Sequence, residues 1–221
     1  ASRVQGLKSS KPRLTRWIKT LNWLRLELNT MKKLLLTLLL GLNMTLANAA
    51  APIRVLLETS MGNITLELDA AKAPKTVDNF VDYVKAKHYD GLAFHRVIKG
   101  FMVQGGGYDE SYNQRTTRKP IENEAKNGLK NVRGSLAMAR TSDPHSASSQ
   151  FFINHGNNDF LDYPGQDGWG YAVFGKVVDG MDVVDKIADS PTGNIRPFGR
   201  DVPLSPILIK HATLIESAKA P

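Results

Sequence analysis

The sequence predicts a mainly β, antiparallel fold, a barrel or a sandwich, in one domain spanning residues 50–221. Three observations carry this. Short strand-like runs are separated by turn-rich loops, only two stretches have the spacing of amphipathic helices, and strands do not alternate with helices as a parallel sheet requires. A domain of about 170 residues is large enough for a full hydrophobic core. A barrel closed by the last strand, with the two helices over its ends, leaves no open edge to protect.

The elements follow in order. Ile53 to Thr59 and Asn63 to Asp69 are strand-like runs about Ser60-Met61-Gly62, a hairpin; Leu66 and Leu68 alternate with Glu67 and Asp69, so one face is buried. Pro74 suits a first helical turn, and Val77, Phe80, Val81 and Val84 behind it recur along one helical stripe. Asp90-Gly91 turns the chain into Phe94–Gly106, where strand-like spacing is broken once by Lys99-Gly100. Further strands are expected over Gly134–Ala139, Gln150–Asn154, Tyr171–Val178 and Pro206–Glu216, with a second helix over Met181–Ala188. Gly105-Gly106-Gly107 is followed by no Lys-Ser/Thr, so it reads as the exit from a strand and not as a phosphate loop.

The amino-terminal part has a different character. Met31-Lys32-Lys33, an apolar run from Leu34 to Leu42 and then Ala47-Asn48-Ala49 form the pattern of a cleaved signal peptide, residues 31–49, with the cut after Ala49. The run is shorter than the roughly 18–20 apolar residues of a spanning helix, so no membrane attachment is expected after cleavage. Residues 1–30 are either upstream sequence read from a start set before Met31 or a longer basic leader, and no function is assigned to them. Export implies a periplasmic location, or alternatively secretion.

The net charge of +8 suggests nucleic acid until it is apportioned. Residues 1–50 hold nine of the 29 Lys and Arg and one of the 21 Asp and Glu, which leaves 20 of each in the domain. With no basic stripe, no nucleic-acid partner is expected. Cysteine is absent, which excludes disulfides, thiolate nucleophiles and cysteine-held metals. His88, His95, His145, His155 and His211 show no short ligand spacing, so neither metal nor cofactor is expected. No G-x-S-x-G elbow accompanies Ser146, Ser148 and Ser149, which argues against a serine hydrolase.

Phe94-His95-Arg96-Val97-Ile98-x-Gly100-Phe101-Met102-x-Gln104-Gly105-Gly106 puts one permanent cation and one amide among large apolar groups, a binding surface in composition. It resembles the signature of the cyclophilins, and Ser148-Ser149-Gln150-Phe151-Phe152-Ile153 and Ala172-Val173-Phe174-Gly175-Lys176-Val177 are similar to the family's next two blocks, in order. The resemblance runs from about Ile53 to Glu216 and is nearest to exported bacterial members. It implies a closed eight-stranded antiparallel β-barrel capped by two α-helices, and peptidyl-prolyl cis-trans isomerase activity on proline-containing unfolded or partly folded polypeptides.

That reaction is physically modest. Resonance sets a barrier of about 18–20 kcal/mol to rotation about a peptide bond, and uncatalysed X–Pro isomerisation takes roughly 10–100 s. A turnover near 10³ s⁻¹ needs a factor of roughly 10⁴–10⁵, about 5–7 kcal/mol. A donor aimed at the proline nitrogen holds its lone pair back as the bond twists and so weakens the resonance. Arg96, always charged and directional, is the candidate.

The resemblance assigns the other roles. Phe101, Met102, Phe152 and Leu161 match the family's proline pocket, Gln104 a group that bonds the substrate carbonyl, and Ala139 and Arg140 the segment whose backbone receives the extended peptide. His95, Met138 and Gln150 lie in the matching blocks and join the substrate-binding set. Phe160 stands where eukaryotic relatives have Trp, Tyr171 where they have the pocket His, and Arg140 in place of Asn. Ring stacking survives the first two changes but an indole N–H is lost, so weak cyclosporin binding is expected. The rival reading is a proline-peptide binding module, or holdase chaperone, on the same fold without useful catalysis.

Overall fold

The computed structural model describes residues 52–196 and 198–215, together with Arg25, Glu27, Met31 and Lys32. The chain divides into two units, residues 1–50 and 51–221. In the first the four described residues are helical and exposed; the expected leader, signal segment and cleavage point otherwise lie outside the described residues.

In the second unit, β1 (Ile53–Thr59) and β2 (Gly62–Leu68) form the expected hairpin. Val55 opposes Leu66 and Leu57 opposes Ile64, all four fully buried, which is the alternation of the sequence made into an inner face. On the outer face Arg54 bonds its partner Glu67 at 2.8 Å, and Lys176 reaches the same carboxylate at 3.5 Å. The hydrogen bond from Arg54, with Lys176 alongside, holds the Glu67 carboxyl below its usual range.

The remaining barrel strands are β3 (Leu92–Ile98), β4 (Met102–Asp109), β5 (Ser135–Met138), β6 (Phe151–Asn154), β7 (Val173–Asp179) and β10 (Leu208–Ile215). Their order is β1-β10-β3-β4-β6-β5-β7-β2, every pair antiparallel, and the β1–β2 hairpin closes the ring. Expected strand limits hold to within two residues. Gly105-Gly106-Gly107 is a correction: the triplet lies inside β4, which continues to Asp109. A second difference is a separate two-stranded ribbon, β8 (Thr192–Ile195) with β9 (Gly199–Pro203), which the sequence does not announce because neither strand has a run of alternating apolar residues.

Helix α1 (Pro74–Lys85) begins at its proline and buries Val77, Phe80, Tyr83 and Val84. Its first amides find a partner far along the chain: Lys75 and Thr76 N–H donate to the Glu124 carboxylate at 3.2 and 2.8 Å, and the Thr76 hydroxyl adds a bond at 2.7 Å. Helix α2 (Met181–Ala188) matches its expected span and buries Val183, Val184 and Ile187. It is entered through Gly180, at φ +85°, where a Cβ would lie 2.2 Å from the Asn63 carbonyl oxygen; only glycine lets α2 approach β2 this closely.

Both helices contribute to one continuous core with the inward side chains of the strands. Phe80 of α1 plugs one end of the barrel, its ring 5.0 Å from Tyr89, 5.4 Å from Phe151 and 5.2 Å from Phe174. Phe80→Ala is expected to lower the unfolding free energy by about 3–5 kcal/mol, read from urea denaturation. A loss below about 1 kcal/mol would mean that this ring does not close the barrel end.

Candidate active site

The site begins with a break in strand register. Phe94 pairs with Gly105 and Arg96 with Gln104, so β3 advances two residues while β4 advances one. The extra residue is a β-bulge. Phe94 and Val97 both join the interior core, and the bulge leaves His95 and Arg96 between them on the outside. From Arg96 a single row of register partners then crosses the outer face: Arg96, Gln104, Phe152, Ala137 and Val173, one from each of β3, β4, β6, β5 and β7.

Three members of that row belong to a second apolar cluster, separate from the interior. Met102, Ala137, Phe152 and Val173 are its buried floor, and Phe101, Leu161, Tyr171, Ala139, Ile98 and Leu129 pack partly buried around them. Tyr171 stands edge-on to Phe152 at 5.8 Å. Phe160 stacks on Phe101 at 5.8 Å and 21° and is 48% exposed, a rim and not a floor.

The polar side is held by backbone and amides. Gln104 donates through Nε2 to Gln150 Oε1 at 3.0 Å, and the Gln150 carbonyl accepts the Ala139 N–H at 3.0 Å. Gly107 makes this possible, since a Cβ there would fall 2.7 Å from the Gln150 side chain. The Phe101 carbonyl accepts from His155 N–H at 2.9 Å, Gly156 N–H at 3.2 Å and Asn158 Nδ2 at 2.9 Å, which fixes the turn carrying the Phe101 ring.

The charges differ in their employment. Arg54, Arg118, Arg133 and Arg140 each meet a carboxylate, and Arg115 the carbonyls of His88 and Asp90. Arg96, half-buried, has no such partner among the described residues. The site therefore offers a free guanidinium, a hydrogen-bonded amide next to it and an apolar floor beyond, which suits a small apolar ring with polar atoms along one edge.

Residues 54–214 match the family model described as cyclophilin type peptidyl-prolyl cis-trans isomerase/CLD. The chain belongs to the cyclophilin family of peptidyl-prolyl cis-trans isomerases. It is 55% identical over 168 residues to peptidyl-prolyl cis-trans isomerase A of Dickeya dadantii, covering 76% of this chain and 87% of that one. To peptidyl-prolyl cis-trans isomerase B of Escherichia coli it is 52% identical over 164 residues, 73% of this chain and 99% of the other. A Cryptosporidium parvum cyclophilin crystallised in the presence of the dipeptide Ala-Pro is similar in structure, with a TM-score of 0.60, 26% identity, and coverage of 74% and 99%.

The fold gathers most of the residues expected of a cyclophilin site: Arg96, Gln104, Phe101, Met102, Phe152, Leu161, Tyr171, Ala139 and Gln150 around the floor, with Phe160 at its rim. Two expected residues do not reach it. Met138 points into the barrel as a member of the interior core, 2% exposed, because it follows outward-facing Ala137 in a regular strand. His95 is 3% exposed and packs between Tyr108, at 4.8 Å, and Phe198 of the β8–β9 turn, at 5.4 Å.

Arg140 is divided. Its backbone N–H and C=O have no hydrogen-bond partner among the described residues and stay open beside the floor. Its side chain is 2% exposed and turns away to bond the Gly170 carbonyl from Nε at 3.1 Å and Nη2 at 3.0 Å, the Thr141 carbonyl at 2.9 Å and the Asp167 carboxylate. Sequence reasoning also misses a buried amide network beneath the rim. Asn131 N–H and Nδ2 donate to Asp162 Oδ1 at 2.7 and 3.0 Å, Asn154 Nδ2 to Asn131 at 3.2 Å, and Asn158 Nδ2 to Asn154 at 2.6 Å. These residues are polar letters scattered over loops and the end of β6, and only the fold joins them.

His95 has a measurable consequence. Its Nδ1 is buried without a hydrogen-bond partner, and burial, with Arg96 adding to it, lowers the ring's pKa to about 4. The unfolded chain takes up this proton near 6.5 and the folded chain does not, so stability present above about pH 6.5 is lost as pH falls toward 4, by up to about 3 kcal/mol. His88 is also lowered, by burial and by the nearby Arg115 charge, and so acts in the same direction. His95→Phe should lose less stability between pH 7 and pH 4.5 than the parent in urea titrations; an equal loss would assign the acid sensitivity to other groups.

Proposed function

We propose that this cyclophilin isomerises X–Pro bonds by donation from Arg96 to the proline nitrogen, and that its substrates are exported proteins during folding. The observation that carries the mechanism is the outer row, in which a guanidinium without a partner among the described residues stands two strands from the Phe152 floor. Two strand spacings are about 10 Å between backbones, room for one substrate residue. With the proline ring on Met102 and Phe152, the substrate's bond to the preceding residue lies toward β3 and the guanidinium.

Gln104, its amide oriented by Gln150, bonds the carbonyl that turns. The open N–H and C=O of Arg140 hold the flanking chain as an added strand would be held. A preorganised donor in such a site contributes about 2.7–4 kcal/mol. No covalent step is needed for the remainder. The export reading rests on the signal pattern of residues 31–49, and places the protein in the periplasm or, alternatively, outside the cell.

Arg96→Ala, compared with the parent on a short X–Pro peptide, is expected to slow isomerisation by about 10²-fold or more. The circular dichroism and thermal midpoint should be retained, since the guanidinium bonds no other described residue. Equal rates for the two proteins would remove Arg96 from the mechanism and favour a binding module.

Cyclosporin should inhibit weakly, because Phe160 offers a stacked ring and no N–H. Phe160→Trp is expected to tighten inhibition, and tight inhibition of the parent would contradict the reading.

A further inference from the structure

The structure carries a second arginine whose charge is spent on shape. We propose that Arg140 is a positioning residue, and that its side chain latches the 162–171 loop against the peptide-receiving edge so that the wall of the proline site is in place before substrate arrives. The proposal rests on the site assignment above but concerns affinity, not the chemical step.

The latch joins two parts that touch the substrate from different sides. One is the backbone of Arg140 itself. The other is Tyr171, whose ring packs against Phe152 in a T-shaped pair at 5.8 Å and lies 4.4 Å under the Arg140 guanidinium, and whose N–H bonds the Leu161 carbonyl at 2.8 Å. Between Leu161 and Tyr171 the chain contains Gly165, Gly168 and Gly170, all at positive φ. Such a loop has much conformational freedom to lose. It is ordered at its end by Asp167, whose Oδ1 accepts the N–H groups of Trp169 and Gly170 at 3.0 and 3.1 Å while Oδ2 accepts Arg140 Nη2. Asn123 Nδ2 adds a third donor to the Gly170 carbonyl at 3.2 Å.

A buried guanidinium depends on its carboxylate, because removing one partner leaves an uncompensated charge out of water. Losing Asp167's charge should therefore release Arg140 as well as the loop. Binding would then have to order the wall, and affinity falls by the cost of that ordering.

Asp167→Asn tests this with little else changed. The amide oxygen of the introduced side chain can still accept from Trp169 and Gly170, so the local turn survives, but the amide presents an N–H to Arg140 where the carboxylate presented Oδ2. The Kd of a short Ala-Pro peptide should rise about tenfold, roughly 1.4 kcal/mol, with turnover at saturating peptide within about twofold of the parent. Arg140→Gln and the double variant complete a cycle: the double variant should bind no more weakly than Arg140→Gln alone.

An unchanged Kd in Asp167→Asn, a fall in turnover at constant Kd, or effects that multiply in the double variant would each overturn the latch. Arg96→Ala run beside them separates the two readings. If it turns over as fast as the parent, the mechanism fails, and the peptide Kd values still decide the latch.

Discussion

An extra residue in β3 between Phe94 and Arg96 decides which way the free arginine faces. Side chains on a regular strand alternate, so with Phe94 inward Arg96 would also turn inward, into a barrel already filled by Phe151, Phe174 and Leu136. A guanidinium there would be an unpaired buried charge, which is prohibitive. The bulge adds half a period, puts Arg96 outside and returns Val97 to the core. Everything on the outer face follows from that register, because Gln104, Phe152, Ala137 and Val173 are each the next partner in the same row.

The barrel interior and the outer cluster have opposite requirements, and the fold meets both with the same strands. The interior is filled by side chains and closed by Phe80 and the other aromatic rings of the helix-capped end. The outer cluster has a buried floor and partly buried walls, so it is a core left incomplete on one side. Apart from Ile98 at the end of β3, its walls come from residues outside the strands, which cannot be rigid through strand pairing. Here the hydrogen bonds to the Phe101 carbonyl, the Asn131–Asn154–Asn158 amides and the Arg140 guanidinium substitute for a ladder.

Much of this architecture is legible in the sequence where a residue's role depends on its neighbours in the chain. The β1–β2 alternation, the Pro74 helix start and the stripe of α2 are local patterns, and the structure has all three. The roles that depend on distant partners are not legible. Nothing near His95 says that a ring from position 198 covers it, and burial does not tell the two faces of β5 apart at Met138, since all four of its residues are buried. The β8–β9 ribbon is a tertiary product too, held by Phe198 against Tyr108 and Tyr112 and by Leu204 packed on Gly193. Arg140 is the sharpest case. Its position in the sequence points to its backbone, and its side chain serves a loop some thirty residues on.

The two arginines show how one residue type serves opposite ends. At Arg140 the guanidinium already bonds two carbonyls and a carboxylate in the folded state, and the carboxyl of Asp167, hydrogen-bonded by the guanidinium and by two backbone N–H groups, is held down to about 2. That charge is satisfied before any ligand arrives and so can only hold shape. At Arg96 the folding of the described residues uses none of the side-chain donors, and in the proposed mechanism the group gains its partner from the substrate. A donor that strengthens as the proline nitrogen regains its lone pair stabilises the twisted bond more than the planar one, which is the condition for accelerating a reaction and not merely binding its substrate. Because a turnover near 10³ s⁻¹ needs about 5–7 kcal/mol and one such donor contributes about 2.7–4 kcal/mol, the proposed mechanism leaves the balance to a dry floor and a fixed flanking edge. The buried floor of the outer cluster and the loop tied down by Arg140 are the features from which the proposal draws them.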